Sequence, residues 1–260
     1  MRRILTAILL APFFTYVVIW SPEWAFLIAL TLVALLCFWE YNGIVQSHDL
    51  PSPGPFGFAA GLAFLFTPNR ESLLLTLIGI GSLIVSAFSN RDLRRVLARA
   101  GSIVLGVLYI FGPWRCAIGL RAASPHWLFF ALALNWIGDT GAMYAGRSFG
   151  RHRLAPLLSP KKSWEGSIAS VLLSVIFGVL YLPRVISGLS WWEAAAIAAV
   201  ANVVGQIGDL CESALKRGAD LKDSGTLLPG HGGWLDRVDS SLFAIPTVYA
   251  WVVMRGFGAY

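Results

Sequence analysis

Apolar positions along this chain do not alternate with polar ones. They come as unbroken runs at 4–20, 24–40, 55–67, 72–88, 102–120, 126–145, 167–182, 190–208 and 240–256. Crossing a bilayer core takes a helix of roughly 20 predominantly apolar residues, and most of these runs approach that length. The run at 55–67 is short and Gly-rich, so a re-entrant or tilted element is the expectation there. Stretches of period-two alternation are absent, which excludes a membrane barrel. Trp20, Trp24, Trp39, Trp127, Trp191 and Trp192 stand at run ends, where indole rings settle in the headgroup layer. The pattern predicts an all-α polytopic integral membrane protein with about nine transmembrane helices.

Composition agrees: 57% of residues are hydrophobic and 13% are charged, which excludes an ordinary soluble domain. Charge placement then orients the helices. With nine spans and a cytoplasmic N-terminus, the inner segments carry Arg2, Arg3, Arg91, Arg94, Arg95, Arg99, Arg147, Arg151, Arg153, Lys161, Lys162, Lys216, Arg217, Lys222 and Arg237, 15 of the 20 basic residues. Only Arg70, Arg115, Arg121, Arg184 and Arg255 remain for the outer side and helix ends. This asymmetry follows the positive-inside rule and places the protein in the cytoplasmic membrane with its basic loops facing the cytoplasm. The net charge of +6 reads as topology plus contact with anionic membrane lipids. Nucleic acid is excluded as a partner, because no soluble basic face exists.

Smaller features add detail. No small-residue cleavage site follows Met1-Arg2-Arg3, so an uncleaved first helix is expected. Cys37, Cys116 and Cys211 lack metal or disulfide spacing and read as packing residues. The turn-rich connector 47–55 makes His48 and Asp49 solvated loop residues, and 89–101, with four Arg, reads as a surface helix on anionic headgroups. The first part, 1–100, has almost no intramembrane polar groups. Chemistry is therefore expected within 101–260, in the cytoplasmic loops 146–166 and 209–239.

Three clusters stand out there. Asp139 lies within the sixth run, among Gly138, Gly141, Ala142, Ala145 and Gly146, with Tyr144 and Arg147 following. An ionisable residue at such depth is a functional candidate, and the small residues permit close helix packing. The second cluster, Ser159-Pro160-Lys161-Lys162-Ser163-Trp164-Glu165-Gly166, offers ammonium groups and hydroxyls at a helix start, chemistry that suits phosphate oxygens. The third runs from Asp209 to Asp239 and packs Lys216, Arg217, Lys222, Asp223, His231, Asp236 and Arg237 between apolar segments. Asp209 shares a helix face with Glu212, and Asp236 with Asp239. Carboxylates gathered this way repel unless a cation intervenes, and oxygen-only ligands favour Mg²⁺. The echo of Trp136-Ile-Gly-Asp139 in Gln206-Ile-Gly-Asp209 is too short to establish an inverted repeat.

These residues resemble the phosphatidate cytidylyltransferases, or CDP-diacylglycerol synthases. The matching positions are Ser213, Leu215, Lys216, Arg217, Lys222, Asp223, Gly225, Leu228, Pro229, His231, Gly232, Gly233, Asp236, Arg237 and Asp239, with the Asp139–Arg147 and Ser159–Gly166 blocks upstream. The resemblance covers roughly 100–260. Trp234 replaces the usual aliphatic or Phe, and Ser163 the commoner Thr, and neither removes a reactive group.

The resemblance implies transfer of CMP from CTP to phosphatidate, giving CDP-diacylglycerol and pyrophosphate in phospholipid biosynthesis. Asp209, Lys216, Arg217, Lys222, Asp223, His231, Asp236, Arg237 and Asp239 are the implied catalytic residues. Asp209, Asp236 and Asp239 are the implied Mg²⁺ ligands, with room left for a second cation. Asp139, Tyr144, Arg147, Ser159, Lys161, Lys162, Ser163, Glu165, Ser213, Gly232 and Gly233 would contact substrate. His231 reads as a group that positions ligand rather than as a base. Small-residue faces and the resemblance together point to a homodimer. Two alternatives remain open at this point: a CTP-dependent lipid-alcohol kinase, and a membrane transporter using Asp139 and Asp209.

Overall fold

A computed structural model describes residues 12–68, 70–89, 92–227 and 232–257. After a helical stretch at 12–19 (α1) come α2 (Glu23–Ser47), α3 (Gly54–Phe66), α4 (Glu71–Ser89) and α5, a continuous helical run over Leu93–Ala123. They are followed by α6 (Pro125–Phe149), strands β1 (Arg153–Ala155) and β2 (Ser159–Ser163), then α7 (Trp164–Val185), α8 (Trp191–Gly218) and α9 (Leu235–Met254). Eight of the expected apolar runs fall on these helices, and the first, 4–20, lies partly outside the described residues. Among the described residues, α2, α4, α5, α7 and α8 are long and apolar enough to cross a membrane, and α3 is a shorter apolar helix. Among the described residues, length and composition thus support five of the expected spans by themselves.

Two local expectations change. Of the basic segment 89–101, residues 90 and 91 lie outside the described residues, and from Leu93 on it is continuous with the helix that follows rather than separate from it. Asp92 accepts the Arg94 N–H and caps a helical run that continues through Gly101 to Ala123. Pro113 lies one turn beyond Tyr109 and has no N–H for that carbonyl; the helix answers with a wide π turn over Val107–Phe111. Secondly, the Lys-Lys block is a strand. β2 pairs antiparallel with β1, Arg153 opposite Ser163 and Ala155 opposite Ser159, a small β element in an otherwise helical chain.

The chain forms two compact units, one of Met1–Phe26, Cys116–Ala214 and Val238–Tyr260, the other of Leu27–Arg115 and Leu215–Arg237. In the first unit, α7 has reversed amphipathicity. Ser170, Ser174 and Gly178 are buried, while Ile168, Leu172, Ile176 and Leu180 are exposed. Small polar residues inward and large apolar ones outward suit a lipid environment, where close packing and interhelical hydrogen bonds hold helices together. Asn202 of α8 donates to Ser174 at 2.9 Å and Ser170 at 3.1 Å, Gln206 donates to Asn202 at 2.7 Å, and Ser174 donates to the Leu134 carbonyl at 2.9 Å. The protein is therefore a helical membrane protein.

Gly138 shows how tight this packing is. A Cβ there would lie 2.5 Å from Ser170 Oγ and 2.6 Å from Asn202 Nδ2. Gly138→Ala is expected to lower stability by about 1–3 kcal/mol. A thermal unfolding midpoint in detergent unchanged from wild type would contradict this. Gly141 is engaged likewise against Leu173, so these small-residue faces serve packing within the chain.

In the second unit, Phe38 is the hub of an aromatic core with Tyr41, Phe58 and Phe111. Its two ends are tied differently. At one, Arg115 donates to the Phe64 and Thr67 carbonyls and to Glu71, closing the α3–α4 turn. At the other, Arg95 donates to the Asp49 carbonyl at 2.8 Å, and His48 Nε2 lies 2.9 Å from the Leu215 carbonyl. His48 is thus half-buried against the end of α8 rather than a freely solvated loop residue, because Gly218 leaves space for its ring.

Candidate active site

In the first unit the hairpin fixes Lys162. Side chains alternate along β2, so Lys161 is exposed while Lys162 turns inward and its ammonium donates to Asp209 Oδ2 at 2.5 Å. Ser163 then leaves the strand and caps α7, its Oγ accepting the Gly166 N–H at 3.2 Å. Gly146 and Gly166 let α6 and α7 approach at this end, with a Gly166 Cβ falling 2.9 Å from the Ala142 carbonyl. Glu165 closes the base of the hairpin, lying 2.7 Å from His152 Nδ1 and accepting the His152 N–H at 3.3 Å.

Asp209 is half-buried on α8, and Ser213 Oγ donates to its Oδ1 at 3.5 Å, the outer limit of a hydrogen bond. Glu212, one turn along, is fully buried. Asp239 lies in the second turn of α9, just before the apolar stretch from 240, and accepts the Ser240 N–H at 2.6 Å. Burial, then the charges of Asp209 and Glu212, and last that of Asp139 push the Asp239 carboxyl well above the usual carboxylate range. Both ends of the Ile-Gly-Asp echo therefore act on one carboxylate. In each copy the glycine admits a neighbouring helix, Gly138 beside Ser170 and Gly208 beside Phe243, and the next residue is the acid.

The second unit builds a separate charged cluster. Lys216, 7% exposed, ion-pairs with Asp236 Oδ1, while Oδ2 accepts the Ser224 N–H at 2.9 Å and the Gly233 N–H at 2.8 Å. Burial alone would raise the Asp236 carboxyl. The Lys216 hydrogen bond and the Gly233 and Ser224 amides outweigh it and hold the group below its ordinary value. Gly232, at φ +80°, occupies the left-handed region that glycine adopts without steric cost, and it turns the Gly233 amide toward Asp236. Asp220, at φ 56°, makes the same kind of turn at the end of α8, where the Leu221 N–H reaches back to the Lys216 carbonyl at 2.8 Å.

The expected residues thus separate by environment. Asp139, Lys162, Asp209, Ser213 and Asp239 come together in the first unit; Lys216, Gly233 and Asp236 come together in the second. Lys161, Arg217, Lys222, Asp223 and Arg237 are exposed, as are Tyr144 and Arg147 on α6, and Arg217 donates to the Leu221 carbonyl. Ser159 is half-buried on β2. His231 lies outside the described residues. Sequence reasoning missed Ser224 and Glu40. Glu40 is 3% exposed and accepts the Ser224 O–H and the N–H groups of Trp234 and Leu235. Its one sequence signal was an acid at the end of the apolar run 24–40, a costly place for a charge.

The donor set in the first unit suits a hard divalent cation, since mutually repelling carboxylate oxygens line it. Among the described residues, no three His, Cys, Asp or Glu side chains form a ready metal cage. Mg²⁺ does not need one: it usually takes one or two carboxylates and completes its shell with water and substrate phosphates.

The cytidylyltransferase family profile matches residues 1–255. A phosphatidate cytidylyltransferase of Staphylococcus haemolyticus (strain JCSC1435) is 32% identical over 257 residues, covering 94% of this chain and 95% of that protein. The phosphatidate cytidylyltransferase of Bacillus subtilis (strain 168) is 30% identical over 260 residues, 95% of this chain and 96% of its own. That of Staphylococcus aureus (strain COL) is 31% identical over 222 residues, 83% of this chain and 85% of the relative. With coverage this complete, the chain belongs to the cytidylyltransferase family.

Proposed function

We propose that this protein transfers CMP from CTP to phosphatidate, releasing pyrophosphate and leaving CDP-diacylglycerol in the membrane. The observation that carries the reading is the pairing of a lysine with an aspartate in both units, Lys162 with Asp209 and Lys216 with Asp236. It occurs in a chain that matches proteins named for this reaction over nearly its whole length. Both reactants are anionic, so catalysis consists mainly of positioning and charge neutralisation.

A phosphate-monoester oxygen of the lipid attacks the α-phosphorus of CTP. The bond from that phosphorus to the bridging oxygen breaks, and pyrophosphate departs with the electron pair. No general base is required, since the attacking oxygen is already ionised near neutral pH. Exposed Lys161, Arg217, Lys222 and Arg237 are available to phosphate oxygens. Lys162 can exchange Asp209 for a phosphate oxygen, since its ammonium then still faces an anion. Asp209 and Asp239 would hold Mg²⁺, which supplies charge neutralisation on the nucleotide phosphates; Asp236 joins that set on the sequence pattern alone.

The topology proposed with this reaction is nine spans, an inner N-terminus and a cytoplasmic site. The ties Arg95–Asp49 and His48–Leu215 support it, because they gather the connectors expected inside at one end of the second unit. A homodimer rests on the family resemblance, the small-residue faces being used within the chain.

The test uses purified protein, phosphatidate, Mg²⁺ and CTP labelled at the α-phosphate. Labelled lipid with stoichiometric pyrophosphate is expected, abolished by EDTA. With diacylglycerol in place of phosphatidate, unlabelled phosphorylated lipid and release of CDP would replace the reading with a kinase, and turnover persisting in EDTA would remove the metal.

A further inference from the structure

We infer that Glu40, a helix residue far in sequence from the charged loop, is the positioning residue that sets the loop's active shape. The inference rests on the proposed reaction only in taking Asp236 as part of its site. Both oxygens of Glu40 act as acceptors: Oε2 takes the Ser224 O–H and the Leu235 N–H, each at 2.8 Å, and Oε1 takes the Trp234 N–H at 2.9 Å. Three donors converging on a side chain 3% exposed are the surroundings of a built anion site, and the anion is part of the chain.

The geometry links this acid to Asp236 through shared residues. Ser224 gives its O–H to Glu40 and its N–H to Asp236, while its Oγ accepts the Asp236 N–H at 3.3 Å. Gly233 gives its N–H to Asp236, and the next two amides go to Glu40. Two carboxylates therefore take their donors from the same residues, Ser224 and the stretch 233–235. The Trp234 and Leu235 amides stand at the start of α9, so Glu40 also satisfies donors that a helix start leaves unpaired. Asp236 and its Lys216 partner hold their places only while that start is held.

The glycines of the loop gain a reason from the same acid. A Cβ on Gly225 would fall 2.7 Å from Glu40 Oε1, and one on Gly233 would collide with Glu40 Oε2 and Ser224 Oγ. These positions are small because backbone must close around a carboxylate, not only because the chain turns.

The experiment compares full-length wild type with Glu40→Gln, Glu40→Asp and Asp236→Asn in detergent, scoring turnover and hydrogen exchange of the 224–236 amides. Glu40→Gln matches the native side chain in size but turns an NH₂ toward N–H donors. Glu40→Asp is shorter by a methylene but keeps an acceptor-only head. If the acceptor charge positions the loop, Glu40→Gln loses about tenfold or more in kcat and Glu40→Asp about threefold or less. Exchange at 233–236 then accelerates in Glu40→Gln while that of 125–149 stays as in wild type. A packing role predicts the reverse order, and Glu40→Gln equal to or above Glu40→Asp overturns the inference, as does unaltered exchange in Glu40→Gln. If Glu40→Gln unfolds throughout, recovery of turnover in Glu40→Asp supports the inference and its absence overturns it. Wild type without cytidylyl transfer would instead sink the functional reading, full turnover in Asp236→Asn would remove Asp236 from the site, and the exchange data would still judge Glu40.

Discussion

Asp236→Asn is expected to abolish turnover, and added Mg²⁺ is not expected to restore it. Both carboxylate oxygens are engaged, Oδ1 by Lys216 and Oδ2 by the Ser224 and Gly233 amides, three of about four acceptor directions. An amide of the same size must present its NH₂ either to an ammonium or to two N–H groups, and both encounters are donor against donor. Lys216, 7% exposed, would be left as a buried charge without its partner. Removing one member of a buried ion pair costs about 3–5 kcal/mol, more than a raised metal concentration can offset. Because the loss comes from a missing negative charge at a fixed place, the Mg²⁺ titration should stay flat. Labelled CTP with the purified variant checks both points, and wild-type turnover in Asp236→Asn would remove that residue from the site.

Asp239→Asn should separate stability from activity in the opposite sense. Burial and the charges of Asp209, Glu212 and Asp139 raise the Asp239 carboxyl, so its ionisation works against the folded state. The sign follows from linkage: a folded-state pKa above the unfolded one means stability is lost as pH rises from about 4 toward the folded value. An Asn never ionises and escapes that loss. In chelator at neutral pH, Asp239→Asn should unfold at a higher temperature than wild type, with the gap closing as pH falls toward about 4. Mg²⁺ should then raise the wild-type midpoint more than that of the variant, since a ligand stabilises the form that binds it. Turnover should be lost throughout. A variant less stable than wild type in chelator would show that these carboxylates do not strain the fold. Strain kept at a site whose chemistry needs it is a common trade between stability and function.

Asp236 and Asp239 were both legible as candidates, three residues apart on one helix face, yet nothing in that spacing distinguishes their surroundings. Lys216 satisfies the first, and three other acids load the second. Lys162 shows the same limit. Sequence placed it at a helix start, whereas the alternation of a short strand decides that it, and not Lys161, reaches Asp209. Glu40 was visible only as an acid at the end of an apolar run, and its partners lie at positions 224, 234 and 235.

The sequence by itself determined what depends on neighbours along the chain. The length of each apolar run settles where helices stand, because it is read from consecutive residues, and the residues of the charged loop carry the resemblance to the family. Only the tertiary structure decided which charges neutralise one another, which face of α7 turns inward, and why Gly225 and Gly233 must stay small. Those outcomes depend on side chains brought together from distant segments, where burial multiplies the cost of an unmatched charge and leaves few arrangements that satisfy every donor.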